Sequence, residues 1–119
     1  MENFKVVRPI HLNHYGYLFG GELLKWVDEI SWIAASRDYP GCKFVTVSMD
    51  RVEFTRNVRQ GSVLRFDVNR YRTGSTSVQY EVTVYSDDLD SGEEEQVFSN
   101  HVTFVCLDEA GNKNRLLES

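Results

Sequence analysis

Residues His11 to Asp28 read HLNHYGYLFGGELLKWVD, and their types and spacing suit hydrolytic chemistry. Asn13 and Gly16 precede Phe19-Gly20-Gly21, and an apolar-periodic segment then carries an acid, Asp28. A double glycine that opens a helix leaves backbone N–H groups bare and approachable, which suits a carbonyl oxygen gaining negative charge. An asparagine and a carboxylate nearby could hold and deprotonate a water. That is the minimal equipment for hydrolysing an activated acyl group.

The elements that must position these residues are legible from periodicity. Residues 4–10, FKVVRPI, read as a short strand ended by Pro9, and residues 11–19 as a loop. From about Gly21 to Arg37, Leu23, Val27, Ile30 and Ala34 recur on one helical face, with Trp26 and Ile33 widening the stripe. Asp38-Tyr39-Pro40-Gly41 stops that helix. The period then changes to two. Strands are expected over 43–54, 62–72, 76–86 and 96–107, with turns at Gly74 and at Glu109-Ala110-Gly111-Asn112.

Four consecutive hairpin-connected strands make an antiparallel sheet, and one long helix is the element available to cover its face. The expected class is therefore α+β, a curved antiparallel sheet wrapped round a central helix, known as the hotdog arrangement. One helix cannot cover the whole concavity or the sheet edges. A homodimer that continues the sheet edge to edge is expected.

Composition bounds the remaining possibilities. The 119 residues are expected to form one domain, 1–119, with 41% hydrophobic and 13% aromatic content, as in ordinary globular proteins. Apolar runs of only a few residues exclude a membrane-spanning helix, and MENFKVVRPIHLNH lacks the apolar core of a signal peptide. A cytoplasmic protein without membrane partners is expected. Cys42 and Cys106 form no CxxC and are expected as two buried thiols rather than a disulfide. A net charge of −5 argues against a nucleic-acid partner.

The charge is unevenly placed. Residues 51–72 hold Arg51, Arg56, Arg59, Arg65, Arg70 and Arg72 against Glu53 and Asp67, while 87–95, DDLDSGEEE, hold six acids and no base. The arginine cluster suits a phosphorylated small molecule, although any one of its members reads as well as the wet face of a half-exposed sheet. The acidic run reads as a solvated hairpin loop.

Each candidate also has a plainer reading. Asp28 shares a helix face with Leu24, Ser31 and Ala35, bordering the apolar stripe, where partial burial would raise its pKa toward that of a base. The plainer reading is a surface ion pair with Lys25. Asn13 could be a turn residue, and Gly20 and Gly21 could serve packing or positive φ. His11 and His14 are three apart, but no further ligands that zinc would need are evident. No G-x-S-x-G elbow exists, and neither cysteine sits in a nucleophile context. The Gly74 turn with its hydroxyls reads equally as an anion-binding nest or as a tight hairpin turn.

Taken together, the N-x-x-G-x-x-F-G-G block from Asn13 to Gly21, Asp28 in WVDE, VTVSMDRVEF at 45–54, TRNVRQGS at 55–62 and TGSTSVQYEV at 73–82 resemble a known family. It is that of the hotdog acyl-CoA thioesterases of the bacterial YciA type and the cytosolic brain acyl-CoA hydrolase type. The resemblance covers roughly residues 5–108. It implies hydrolysis of acyl-CoA at a dimer interface, with Asp28 as general base and Asn13 of the opposite subunit positioning water or acyl group. It further implies an oxyanion donor at the FGG turn around Gly21. Phe19, Gly20, Arg56, Thr73, Gly74, Ser75, Thr76 and Ser77 would line the substrate and coenzyme A path. No metal or redox cofactor is implied, coenzyme A being part of the substrate, and assembly could extend to a tetramer or hexamer. This chain departs from the family at His11-Leu12, often Asp-Thr or Asp-Ala there, and at Thr73, often lysine. Two alternatives stay open: a hydroxybenzoyl-CoA-type thioesterase, whose acid would lie in the loop before the helix, and a non-catalytic acyl-CoA-binding protein.

Overall fold

A computed structural model describes residues 1–116 of the chain. Its elements run β1 (Glu2–Val6), a single 3-10 turn (Pro9–His11), α1 (Gly20–Asp38), β2 (Lys43–Phe54), β3 (Val63–Thr73), β4 (Ser77–Asp87) and β5 (Glu94–Leu107). The five strands form one antiparallel sheet in the order β1-β3-β4-β5-β2. The expected helix and the four strands after it are all present, β2 with the bounds that its period predicts. β1 is shorter and earlier than expected. Pro9 opens the 3-10 turn and has no N–H for a ladder, so the strand ends at Val6.

The core lies between α1 and the concave face of the sheet. Leu23, Trp26, Val27, Ile30, Ala34 and Ala35 supply the helix side, all buried. Alternate residues supply the sheet side: Leu64, Phe66 and Val68 on β3, Val78, Tyr80, Val82 and Val84 on β4, and Phe98, Val102 and Phe104 on β5. Trp26 meets Phe66 edge to face at 6.4 Å, and Phe44 meets Phe104 at 6.2 Å.

Polar bonds fix the helix along this apolar bed. Trp32 Nε1 donates to the Phe44 carbonyl at 3.1 Å, and the Tyr80 hydroxyl donates to Asp38 at 2.7 Å. Burial, and then that bond to Asp38, push the Tyr80 phenol well above its ordinary range, so it stays protonated and remains a donor. Arg70 Nη1 donates to the Tyr39 hydroxyl at 2.9 Å.

The cysteines differ from expectation: Cys42 and Cys106 form a disulfide. Register explains it. Tyr39 and Cys42 close a turn after α1, and Phe44 of β2 pairs with Cys106 of β5, which leaves the two Cα atoms 5.3 Å apart. Sequence spacing alone could not show that adjacency.

Ile30 is fully buried at the middle of the helix–sheet contact. Ile30→Ala is expected to cost about 2–5 kcal/mol in urea unfolding, with an unchanged m-value.

Candidate active site

The loop ahead of α1 is shaped by its own turn and tied to the segment after β2. The Asn13 N–H donates to the Tyr17 carbonyl at 2.7 Å, and the Gly16 N–H to the Asn13 carbonyl at 3.0 Å. Gly16 has φ 85°, a left-handed conformation that glycine adopts without steric cost. Tyr17 bridges to Arg59, and the Leu18 N–H donates to the Val58 carbonyl at 2.8 Å. The chain after β2 is thereby drawn against the loop. Asn13, Gly20 and Arg56 come to line one cleft of about 410 Å³, with Leu18, Leu23 and Phe54 as apolar wall.

Asn13 holds the loop and also faces the cleft. Its Oδ1 accepts the N–H groups of Tyr15 at 2.9 Å and Tyr17 at 3.1 Å, an Asx-type turn. Its amide nitrogen makes no hydrogen bond among the described residues and is available to a ligand.

The helix begins without a cap. Phe19 supplies no side-chain acceptor, and the Glu22 and Leu23 N–H groups both turn back to its carbonyl, at 3.0 and 3.2 Å. The N–H groups of Gly20 and Gly21 precede the first intrahelical bond and are left for another acceptor. The Phe19 ring lies over Gly21, where a Cβ would come within 2.7 Å of it. A bare glycine pair is what lets ring and backbone approach so closely.

Asp28 stands eight residues further on, about 12 Å along the helix axis from Gly20. It is half-buried, and its Oδ1 accepts the Thr46 hydroxyl at 2.6 Å. Lys25 pairs with Glu22 at 3.7 Å, not with Asp28. Thr46 escaped the sequence reading. Its signal is the strand period: with Phe44 it belongs to the helix-facing row of β2, a hydroxyl where an apolar residue would otherwise pack.

The remaining candidates are not gathered here within one chain. Thr73, Gly74, Ser75, Thr76 and Ser77 form the β3–β4 turn, closed by a Gly74 N–H bond to the Ser77 carbonyl at 2.8 Å. Ser77 pairs with Val105, which pairs with Val45 at the start of β2, whereas the cleft lies beyond the end of β2. Roughly 35 Å of strand separates the two groups.

The arginines disperse as well. Arg65 is bound by Glu94 and Glu2 and lies 4.3 Å over the Tyr85 ring. That pairing, Glu94 first, raises the Arg65 pKa further and holds the Glu94 carboxyl below its usual range. Arg56 is ion-paired with Glu95 at the cleft. The acids that looked merely solvated therefore neutralise two of the six arginines. His11 accepts the Arg8 N–H through Nδ1 at 2.9 Å and packs edge-on against Trp26 at 4.7 Å, while His14 packs against Tyr15.

A family model described as the thioesterase superfamily matches residues 15–93, from the Asn13 loop through β4 into the acidic hairpin. The chain belongs to this family. Acyl-coenzyme A thioesterase 11 of Mus musculus is 36% identical over 102 residues, 86% of this chain and 17% of the relative. An uncharacterized acyl-CoA thioester hydrolase, YkhA of Bacillus subtilis, is 34% identical over 107 residues, 88% of this chain and 60% of the relative. The chain thus spans less than two thirds of the length of each of these curated relatives. Acyl-CoA hydrolase of Staphylococcus aureus, solved with butyryl coenzyme A, superposes with TM-score 0.91 at 28% identity, over 99% of this chain and 71% of that one. A hexameric hotdog fold thioesterase of Campylobacter jejuni superposes with TM-score 0.87 at 32% identity, over 96% of this chain and 87% of that one. One helix on a curved five-stranded antiparallel sheet is accordingly the hotdog fold, as expected. Solved variants of the S. aureus hydrolase replace an asparagine, an aspartate 15 positions later and a threonine 17 positions after that by alanine.

The two roles of Asn13 separate by substitution. Asn13→Asp keeps an oxygen for Tyr15 and Tyr17 and is expected to melt within about 1 kcal/mol of the native chain. Asn13→Ala, which abandons both N–H groups, is expected to lose about 1–2 kcal/mol. Thermal unfolding of the pair reads the difference.

Proposed function

We propose that this chain hydrolyses acyl-CoA thioesters, with Asp28 as general base. The observation that carries the reading is the Asp28 carboxylate, half-buried on α1 and held by Thr46 at 2.6 Å. Asn13, Asp28 and Thr46 follow one another at intervals of 15 and 18 residues. Those intervals nearly reproduce the three positions substituted in the S. aureus hydrolase. In this mechanism Asp28 takes a proton from water as the water attacks the thioester carbonyl. The Gly20 and Gly21 amides receive the oxyanion, and the Asn13 amide nitrogen orients the water or the acyl carbonyl. Thr46, donating to one carboxylate oxygen, leaves the other for the water.

The site is completed by a second copy. β2 is an edge strand, and Val47, Val52 and Phe54 on it are exposed. Antiparallel pairing of two β2 strands about a two-fold near their middle brings the start of one beside the end of the other. Asp28, held at Thr46, then faces the partner's cleft, and the Thr73–Ser77 turn approaches the partner's Arg56, where the phosphates of coenzyme A would lie. This joins the two groups of candidates that one chain keeps apart. Higher assembly, to the hexamer named for the C. jejuni thioesterase, would bury further surface. A cytoplasmic setting fits acyl-CoA chemistry, although the Cys42–Cys106 disulfide is of a kind uncommon in that compartment. Among the described residues no helix is long and apolar enough to cross a membrane.

Release of free thiol from acyl-CoAs of graded length is the test. Asp28→Asn is expected to lower kcat by about 10²–10⁴-fold at unchanged thermal stability. An Asp28→Asn protein with native turnover would remove the base assignment.

Complementation tests the shared site. Asp28→Asn and Asn13→Asp chains, each inactive alone, are unfolded together and refolded at equal ratio. Half the dimers are then mixed and carry one intact site of two, so about a quarter of native activity is expected. No recovery would place both residues in one chain's own site.

A further inference from the structure

Asn100 is a buried polar residue on the helix-facing surface of the sheet. It sits on β5 in the row of Phe98, Val102 and Phe104, opposite Val82 of β4, and is 1% exposed. Among the described residues, neither its amide nitrogen nor its carbonyl oxygen has a hydrogen-bond partner. A valine or leucine would fill this place without the cost of desolvating a carboxamide. On its other side the β2 ladder is interrupted between Asp50 and Glu53, with Arg51 in a left-handed conformation, φ 51°. The wall beside Asn100 is therefore one of the places where the backbone pairing of the sheet is interrupted.

That wall leads to the cleft. Phe54 lines the cleft, and its ring lies 5.0 Å from that of Phe98, the residue before Asn100 on the same face of β5. Phe54 is itself half exposed. Phe54 thus stands between the cleft and the stretch of β5 that carries Phe98 and Asn100.

We propose that Asn100 determines specificity by reading a hydroxyl or keto oxygen on the acyl group, an inference that rests on the acyl-CoA reading above. A carboxamide offers two donors and an acceptor, which together match a hydroxyl that both gives and takes a hydrogen bond. A keto oxygen accepts from the amide nitrogen. An unsubstituted chain reaching the same place leaves the carboxamide unpaired against methylene. Sites built to pair a polar group discriminate strongly against the analogue that lacks it.

The experiment compares kcat/KM for saturated acyl-CoAs with that for α-hydroxy, β-hydroxy and β-keto derivatives of equal chain length. Native protein is expected to favour at least one substituted series by about tenfold or more. Asn100→Leu is expected to erase that preference, hydrolyse the plain chain at least as fast, and melt higher than the native protein. If Asn100→Leu does not fold, Asn100→Val makes the same comparison with a smaller side chain. Equal native kcat/KM for plain and substituted chains overturns the role of Asn100 and leaves the thioesterase reading standing. A preference that survives substitution also overturns it. Hydrolysis of none of them overturns both.

Discussion

One helix has to cover the concave face of a five-stranded sheet, and the rest of the molecule follows from how it does so. α1 is buried along Leu23, Trp26, Val27, Ile30, Ser31, Ala34 and Ala35, more than a narrow stripe and less than its full circumference. Burial of those residues supplies the main apolar contact of the chain, so the helix cannot shift or rotate without exposing them. A residue at the border of the stripe is consequently held at a fixed depth. Asp28 is such a residue: turned slightly inward it would be an unpaired buried charge, and turned slightly outward a solvated one. The helix packing sets its depth, and the Thr46 hydroxyl sets its direction.

The same constraint explains why, Asp28 apart, the candidate site is made of loops and strand ends. The middle of the helix is committed to the core, so its open N-terminal turn is where backbone polar groups remain available. The Asx turn at Asn13 and the bridge from Tyr17 to Arg59 bring chain from both sides of the helix start to that turn. Neither segment belongs to the sheet. The loop owes its shape to local hydrogen bonds at Asn13 and Gly16, and the segment after β2 owes its place to backbone bonds with Tyr17 and Leu18, which is how a rigid fold can carry a site whose residues are far apart in sequence.

Much of this was readable in the residues. The period-two runs locate β2 to β5, and the 3.6-residue period locates α1, because each pattern reports burial against a single opposing face. Asn13 and Gly20 are legible as one motif because the turn chemistry that joins them is local, whereas Arg56 reaches them only through the pairing of Tyr17 with Arg59 and of Leu18 with Val58. What escaped the sequence depends on register between distant segments. Cys42 meets Cys106 only because β2 starts opposite the end of β5, and Thr46 meets Asp28 only because β2 then runs beneath the helix. The arginine cluster misled for the same reason. Alternation on strands sends Arg65 to Glu2 and Glu94, while Arg56, beyond the end of β2, goes to Glu95.

The edge at β2 is where the single chain is visibly unfinished. β1, at the other edge, is only five residues long, which limits what can add to it. β2 has twelve residues, with Val47 and Val52 exposed, and beside it Trp32 of the helix, 44% exposed despite its bond to the Phe44 carbonyl. A twelve-residue edge strand with exposed valines leaves backbone N–H and C=O groups open to strand addition, and a second β2 would be its natural complement because antiparallel pairing with itself satisfies both copies at once. The bulges between Thr46 and Ser48 and between Asp50 and Glu53 narrow the choice of register, since a bulged strand pairs cleanly only where its irregularities do not oppose each other. On the proposed reading, folding of the sheet and assembly of the site are one problem: the pairing that would cover the exposed edge would also carry Asp28 to the partner's cleft.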